Sequence, residues 1–340
     1  MKRKIYCALA ITAAFLTLAG CDKGDAEQGW SSEFEPVTET AGSQNEQQTT
    51  TEQEKTEQTA ADQTTGDQTT EATQEAPADN GAVSICDETT PFDYASDYTE
   101  EIKVAVERAV AGATSFEDEF AKMQEIHEHI TSRRSDDENQ AEMNVVSFYY
   151  YQIWDAELNN LWDRFTQTVD DATKERVLAD QRAWNVMKED AALEALGPQE
   201  EGGSIYPLLY NSFMEDSTKV RCYFLAKEMA AAKGDSFTMP KKSVLGSYVD
   251  NQGTDSIYSC LSVTESWESG YIAKATLHGI GELEGTVEEA GDGVLSFASD
   301  DDSVKGTITY GWDGAVLEIT EVNGDSVVSL GDKFEFPMVF

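Results

Sequence analysis

Hydrophobic positions along the chain fall into four successive patterns, and each predicts a different kind of structure. A continuous apolar run, Ile5 to Leu18, comes first. A stretch with almost no large apolar residue after Trp30 and Phe34 follows it, to about residue 85. From Tyr98 the apolar residues recur at threes and fours, the period of an amphipathic helix. Thr99 caps a helix to about Val110. Thr114 with Glu117 reads as a capping box for a second helix, with Phe116, Phe120, Met123, His127 and Ile130 on one face. A third begins near Asp137 and carries the stripe Tyr151, Trp154, Leu158, Trp162, Phe165 and Val169. Asp155, Asn159 and Asp163 form a polar row beside that stripe. A fourth starts at Ala172, with Val177, Gln181, Trp184 and Lys188 on one face. It stops at Gly197-Pro198, and Gly202-Gly203 continues the turn. Ser204 reads as the cap of a last helix to Met229, with Pro207 in its first turns. These segments predict a small helical bundle.

Beyond Lys241 and Lys242 the period becomes two. Strands are expected at Val244–Val249, Ser256–Thr264, Gly270–Leu277, Glu282–Glu288, Val294–Ala298, Val304–Tyr310, Val316–Glu321 and Lys333–Phe336. They are short, evenly spaced and separated by the turn pairs Asp292-Gly293, Asp313-Gly314 and Asn323-Gly324. An up-and-down meander closing into a small antiparallel barrel fits this spacing, with its interior filled by its own side chains. The fold class is therefore α+β by separate domains. The expected organisation is 1–20 export signal, 21–85 tether, 86–240 helical domain and 241–340 all-β domain.

The opening run changes the picture of where the chain works. Lys2, Arg3 and Lys4 precede it and Leu18-Ala19-Gly20 closes it, the three parts of a secretory signal, and the run is short for a membrane span. Leu18-Ala19-Gly20-Cys21 resembles the lipobox of bacterial lipoproteins. That resemblance implies diacylation of Cys21 and display on a membrane outside the cytoplasm. Acyl chains anchor through about 0.8 kcal/mol per buried methylene. Whether the envelope has one membrane or two stays open. The Thr-, Gln- and Glu-rich tether buries too little apolar surface to offset its ordering entropy and reads as disordered.

Charge narrows the partners. The whole chain carries −41, and residues 86–340 account for −31 of it through 50 acidic against 19 basic side chains. That field repels nucleic acid and anionic lipid and attracts basic proteins or cations. Cys86, Cys222 and Cys260 lack metal-ligand spacing, and three thiols leave every disulfide pairing open. His127 and His129, two apart on a helix, point to different sides and do not make a zinc pair. Asp300-Asp301-Asp302 lacks the ligand spacing of a calcium loop and reads as a solvated hairpin tip. No phosphate-cradling glycine loop, HExxH or nucleophile elbow occurs, so no catalytic residue, metal or cofactor is expected.

A set of residues in the helical region carries a resemblance. In order they are Met143-Asn144, Tyr151, Asp155, Leu158-Asn159, Gln181-Arg182-Ala183-Trp184, Gly202-Gly203-Ser204, Pro207, Leu209-Tyr210-Asn211 and Thr218 with Arg221. Together, over about 138–230, they resemble the lysozyme-inhibitor LprI-type N-terminal domain. Lys188-Glu189 stands where that family has Arg-Asp, with the same charges. The family's cysteines fall at Val146, Ala192 and Phe213, which implies buried sites without the disulfides. The motif residues Asp155, Asn159, Gln181, Arg182, Trp184, Lys188, Glu189, Gly203, Tyr210 and Arg221 are candidates for structure or binding. On physical grounds, Trp184 reads as core. Arg182, Lys188, Asp155 and Glu189 read as an ion-pair network, with Asn159 and Gln181 hydrogen-bonding across helices.

The resemblance and the charge point to a non-catalytic envelope lipoprotein that binds a protein, plausibly as a lysozyme inhibitor. A basic lysozyme would meet it by electrostatic steering. A small-ligand sensor or carrier built on the barrel is the alternative.

Overall fold

The computed structural model describes residues 90–253, 257–266 and 270–340. The expected signal, the Cys21 anchor, the tether and Cys86 lie outside the described residues.

Six helices occupy the first part: α1 Thr99–Gly112, α2 Phe116–Ser132, α3 Gln140–Thr168, α4 Asp171–Leu196, the single turn α5 Gln199–Gly202 and α6 Tyr206–Lys233. A 3-10 turn, Gly203–Ile205, joins α5 to α6. The caps correct the sequence reading by a residue or two. Ser115, rather than Thr114, accepts the Asp118 N–H at the start of α2, while Thr114 hydrogen-bonds the Asp118 carboxylate. Asn139 opens α3 with a complete capping box to Glu142. Ser204 lies inside the 3-10 turn and caps nothing, so α6 starts at Tyr206 with Pro207 in its first turn. Gly197 at φ 75° ends α4, a left-handed value that a residue without Cβ adopts at little cost.

The long helices α3 and α6 pack most extensively on each other. α1 and α2 lie against α3, and α4 lies against α6. Ile102, Met123, Ile130, Ile153, Trp154, Leu161, Phe165, Leu225 and Met229 are all fully or almost fully buried between them. Phe120, Trp154 and Tyr223 meet edge-on or tilted at ring centroids 5.1–6.2 Å apart.

Nine strands follow in one antiparallel sheet: β1 Gly246–Asp250, β2 Ser259–Ser266, β3 Gly270–Leu277, β4 Gly281–Gly291, β5 Val294–Ser299, β6 Val304–Gly311, β7 Gly314–Val322, β8 Lys333–Phe336 and β9 Met338–Val339. Its order is β8-β7-β6-β5-β4-β3-β2-β1-β9. The two ends of that order are one chain segment. Pro337, which has no N–H to give a ladder, divides it so that β8 pairs with β7 and β9 pairs with β1. A bent last strand thus nearly closes the barrel. Leu261, Ala275, Leu283, Val287, Leu295, Ile308, Leu317 and Phe336 fill the interior, alternating with outward polar residues. Asn323-Gly324 is not the expected tight hairpin turn. It opens a longer connection, 323–332, that buries Val328 against the barrel core.

Strands β1 and β2 are buried on both faces. Their outward residues Val249 and Cys260, paired in register, belong to the helical core together with Phe340. α4 covers them, and its Glu194 carboxylate accepts a hydrogen bond from Thr276 at 2.7 Å and lies 3.7 Å from Lys274 Nζ. Cys222 and Cys260 are buried free thiols. Burial pushes the Cys222 thiol well up and Cys260 to about 12, the range of inert structural cysteines.

Candidate functional site

The motif residues converge where α3, α4 and the first half of α6 run together. On α3, Asp155 accepts from the Tyr151 hydroxyl at 3.4 Å and from Asn159 Nδ2 at 3.2 Å. One helical turn separates each of these residues, so the row holds together within its own helix. Asn159 also donates to the Asp155 carbonyl at 2.8 Å and does not cross to another helix. Burial raises the Asp155 carboxyl, and the Lys188 charge opposes that rise.

Trp184 lies at the centre, 3% exposed. Lys188 Nζ sits 5.9 Å and Arg221 Cζ 6.0 Å from its ring, and Phe340 stacks on it at 6.0 Å with ring planes 15° apart. Two cations and an aromatic ring therefore pack on one indole. Arg221 is buried, donates through Nε to Gln181 Oε1, and reaches Asp180 Oδ2 at 2.7 Å. Gln181 thus joins α4 to α6, as its place in the motif predicts. Burial still lowers the Arg221 pKa, because Asp180 is mostly exposed and screens it weakly.

The proposed ion-pair network is rearranged in the structure. Arg182 is exposed and lies apart from the network. Among the described residues, no carboxylate comes within 4.0 Å of Lys188. Burial lowers its pKa against the opposing pull of Glu189 and Asp155. Glu189 instead accepts from the Tyr210 hydroxyl at 2.9 and 2.7 Å, a second tie between α4 and α6. Burial and that carboxylate both raise the Tyr210 pKa. Gly203 takes φ 60° in the turn before α6, and the neighbouring Ser204 carbonyl accepts from Asn144 Nδ2 at 2.9 Å. The positions where the resembling family carries cysteine are apolar and covered: Val146 and Ala192 are buried, and Phe213 packs against the helical core.

Two features escape sequence reasoning. Arg164 makes a two-pronged contact with Glu119, at 3.0 and 2.5 Å, and lies 3.4 Å from Glu157. Glu157 is fully buried, and its Oε2 has no hydrogen-bond partner. Its place inside an apolar helix face was the available signal. The second is an exposed stripe on α4. Arg182, Val186, Glu189 and Leu193 recur at fours and threes, all on the solvent side. Ile205 and Leu209, also exposed, precede Tyr210, which binds the middle of that stripe. Four apolar side chains are therefore exposed to water on the two segments that the Tyr210–Glu189 contact joins, where a solvated helix face is normally polar.

His127 and His129 are both half-buried, and His127 stacks on Tyr150 at 3.7 Å. The Asp301 carboxylate is held down to about 2 by hydrogen bonds from Ser303 and Ser299 within its own turn. Among the described residues, no helix is long and apolar enough to cross a membrane.

Residues 131–225 match the family described as Lysozyme inhibitor LprI. The match spans α3, α4, the Gly202-Gly203 turn and most of α6, the part that carries the polar and aromatic cluster except Phe340. No curated protein and no solved structure matches the chain.

Proposed function

We propose that this chain is a non-catalytic envelope lipoprotein, held on a membrane through Cys21, that binds and inhibits a lysozyme-type muramidase. The match to Lysozyme inhibitor LprI over 131–225 carries this reading. The charge of the helical segment supports it, with 32 acidic and 14 basic residues between 86 and 240. Those charges supply attraction and on-rate toward a basic protein, whereas affinity needs an apolar anchor. The exposed set Val186, Leu193, Ile205 and Leu209 around Tyr210–Glu189 is the anchor we assign. A barrel interior filled by its own side chains favours protein binding over a carrier role.

Charge and anchor separate experimentally. The double substitution Val186→Asp with Leu193→Asp removes apolar contact while adding negative charge. It is expected to weaken lysozyme inhibition by at least about tenfold, the effect of losing a hot spot of about 1.4 kcal/mol or more. Inhibition by the parent should fall with salt, as the screening length shrinks from about 10 Å at 0.1 M to about 3 Å at 1 M. Lysis of cell-wall substrate measures both. Inhibition no better than that of an unrelated protein of equal charge would remove the reading.

The anchor at Cys21 has its own test. Cys21→Ala is expected to leave an uncleaved precursor that takes up no fatty-acid probe. A variant that still matures and labels would refute lipidation at this position.

A further inference from the structure

The barrel end that faces α6 holds a cation with no evident counterion. Lys242 precedes β1, and its Nζ lies 5.2 Å from the Tyr248 ring and 5.6 Å from the Trp312 ring. Trp312 is fixed there. Its Nε1 donates to the Pro240 carbonyl at 2.8 Å, and its ring meets Tyr223 and Phe224 of α6 edge-on at 5.9 Å. Gly246 makes room for the amine, since a Cβ at that position would sit 2.8 Å from Lys242 Nζ and 3.7 Å from the Tyr248 hydroxyl. The amine donates to the Leu245 carbonyl at 3.5 Å. Among the described residues no carboxylate oxygen lies within 4.0 Å of it, although acids outnumber bases 50 to 19 in this part of the chain.

A half-buried ammonium is costly unless something completes it. Burial draws the Lys242 ammonium down to about 8, with only Asp216 of α6 opposing it. The amine borders an open cleft of about 350 Å³ lined by Met239, Pro240, Asp292, Tyr310 and Trp312, with Lys241 at its side. The cleft thus offers a cation, Lys242, and a carboxylate, Asp292, in one opening. That pattern matches a molecule with the opposite charges.

We propose that this cleft binds a free amino acid or short peptide, its carboxylate on Lys242 and its ammonium on Asp292. A bound carboxylate supplies the missing counterion.

The test uses the full chain with lysine labelled at Cε and three probes: leucine, leucinamide, which lacks the carboxylate, and 4-methylpentanoate, which lacks the amine. The Lys242 signal, assigned by its loss in Lys242→Met, is expected to titrate near pH 8 in the free protein and at least one unit higher with leucine. Leucinamide should leave it unmoved, and 4-methylpentanoate should bind at least tenfold more weakly than leucine. Asp292 lies in an exposed turn, so Asp292→Asn keeps the fold. It should erase the preference for leucine over 4-methylpentanoate. The assignment is overturned if millimolar leucine leaves the titration unchanged. It is equally overturned if leucinamide binds as well as leucine, or if Asp292→Asn leaves the preference intact.

Discussion

Replacing Trp184 with alanine is expected to destabilise the protein by about 3–5 kcal/mol, the usual cost of deleting a buried tryptophan side chain. Three contacts disappear together. Lys188 and Arg221 lose the ring face on which they rest, and Phe340 loses its stacking partner. The backbone N–H of Phe340 also donates to the Ser247 carbonyl at 2.9 Å, so the ring is fastened to β1 while it reaches the helical core. The loss should therefore be felt on both sides, as lower protection of β1 amides as well as of α4. Trp184→Phe keeps a ring against Phe340 and should cost clearly less. Urea denaturation followed by circular dichroism, with hydrogen exchange at β1, measures both effects. A loss below about 1 kcal/mol for the alanine variant would show that the cluster does not fasten the helices to the sheet.

Glu157→Gln is expected to stabilise the protein at neutral and higher pH, by an amount that grows as pH rises. Burial pushes the Glu157 carboxyl well above its usual value, the neighbouring Glu119 adds to that shift, and Arg164 opposes it. The folded state therefore keeps its proton where the unfolded chain, with a pKa near 4.3, has already released it. The unfolded state then binds fewer protons, so this carboxyl's contribution to stability falls as pH rises, by up to about 1.4 kcal/mol per unit. It is fully present below the unfolded value and is lost as pH climbs through the folded one. Glutamine preserves the shape and does not titrate, so the difference between parent and variant should open above about pH 4.3 and level off beyond the folded pKa. A difference independent of pH between 4 and 8 would mean that Glu157 is ionised in the folded protein. Glu157→Ala should behave differently. It leaves a cavity beside Trp154 and Cys222 and destabilises at every pH.

Much of the fold was legible in local chemistry. The stripe Tyr151, Trp154, Leu158 and Phe165 fixes the buried face of α3 because four such residues at helical spacing cannot all avoid water otherwise. The alternation through 270–321, with Asp-Gly pairs at two of the four turns, likewise fixes β3 to β7 and their hairpin order. The helix starts were legible only to a residue or two, because Thr114, Ser115 and Ser204 can all cap and only the chain path chooses among them. Among the motif residues, the burial of Trp184 and the reach of Gln181 across helices followed from their place on the α4 face.

The partners did not follow. Arg182 and Lys188 carry the same charge on the same helix, yet one is solvated and the other packs on an indole. Lys188 stands one turn after Trp184 on the same face of α4, whereas Arg182 lies off that face. Asp180 pairs with Arg221 across 41 positions of sequence, and Glu119 with Arg164 across 45. No periodicity within a single segment encodes such a pairing.

The sequence by itself determined the helical and alternating regions, their inward faces and the acidic field around them, since each depends on the periodicity or sum of local properties. The tertiary structure alone decided that Val249, Cys260 and Phe340 leave the barrel face and complete the helical core, and that Pro337 turns the last strand to near closure. It also decided that, among the described residues, no carboxylate lies within 4.0 Å of Lys242. Those outcomes depend on which surfaces meet, and packing between distant segments is settled by the shape of the whole chain.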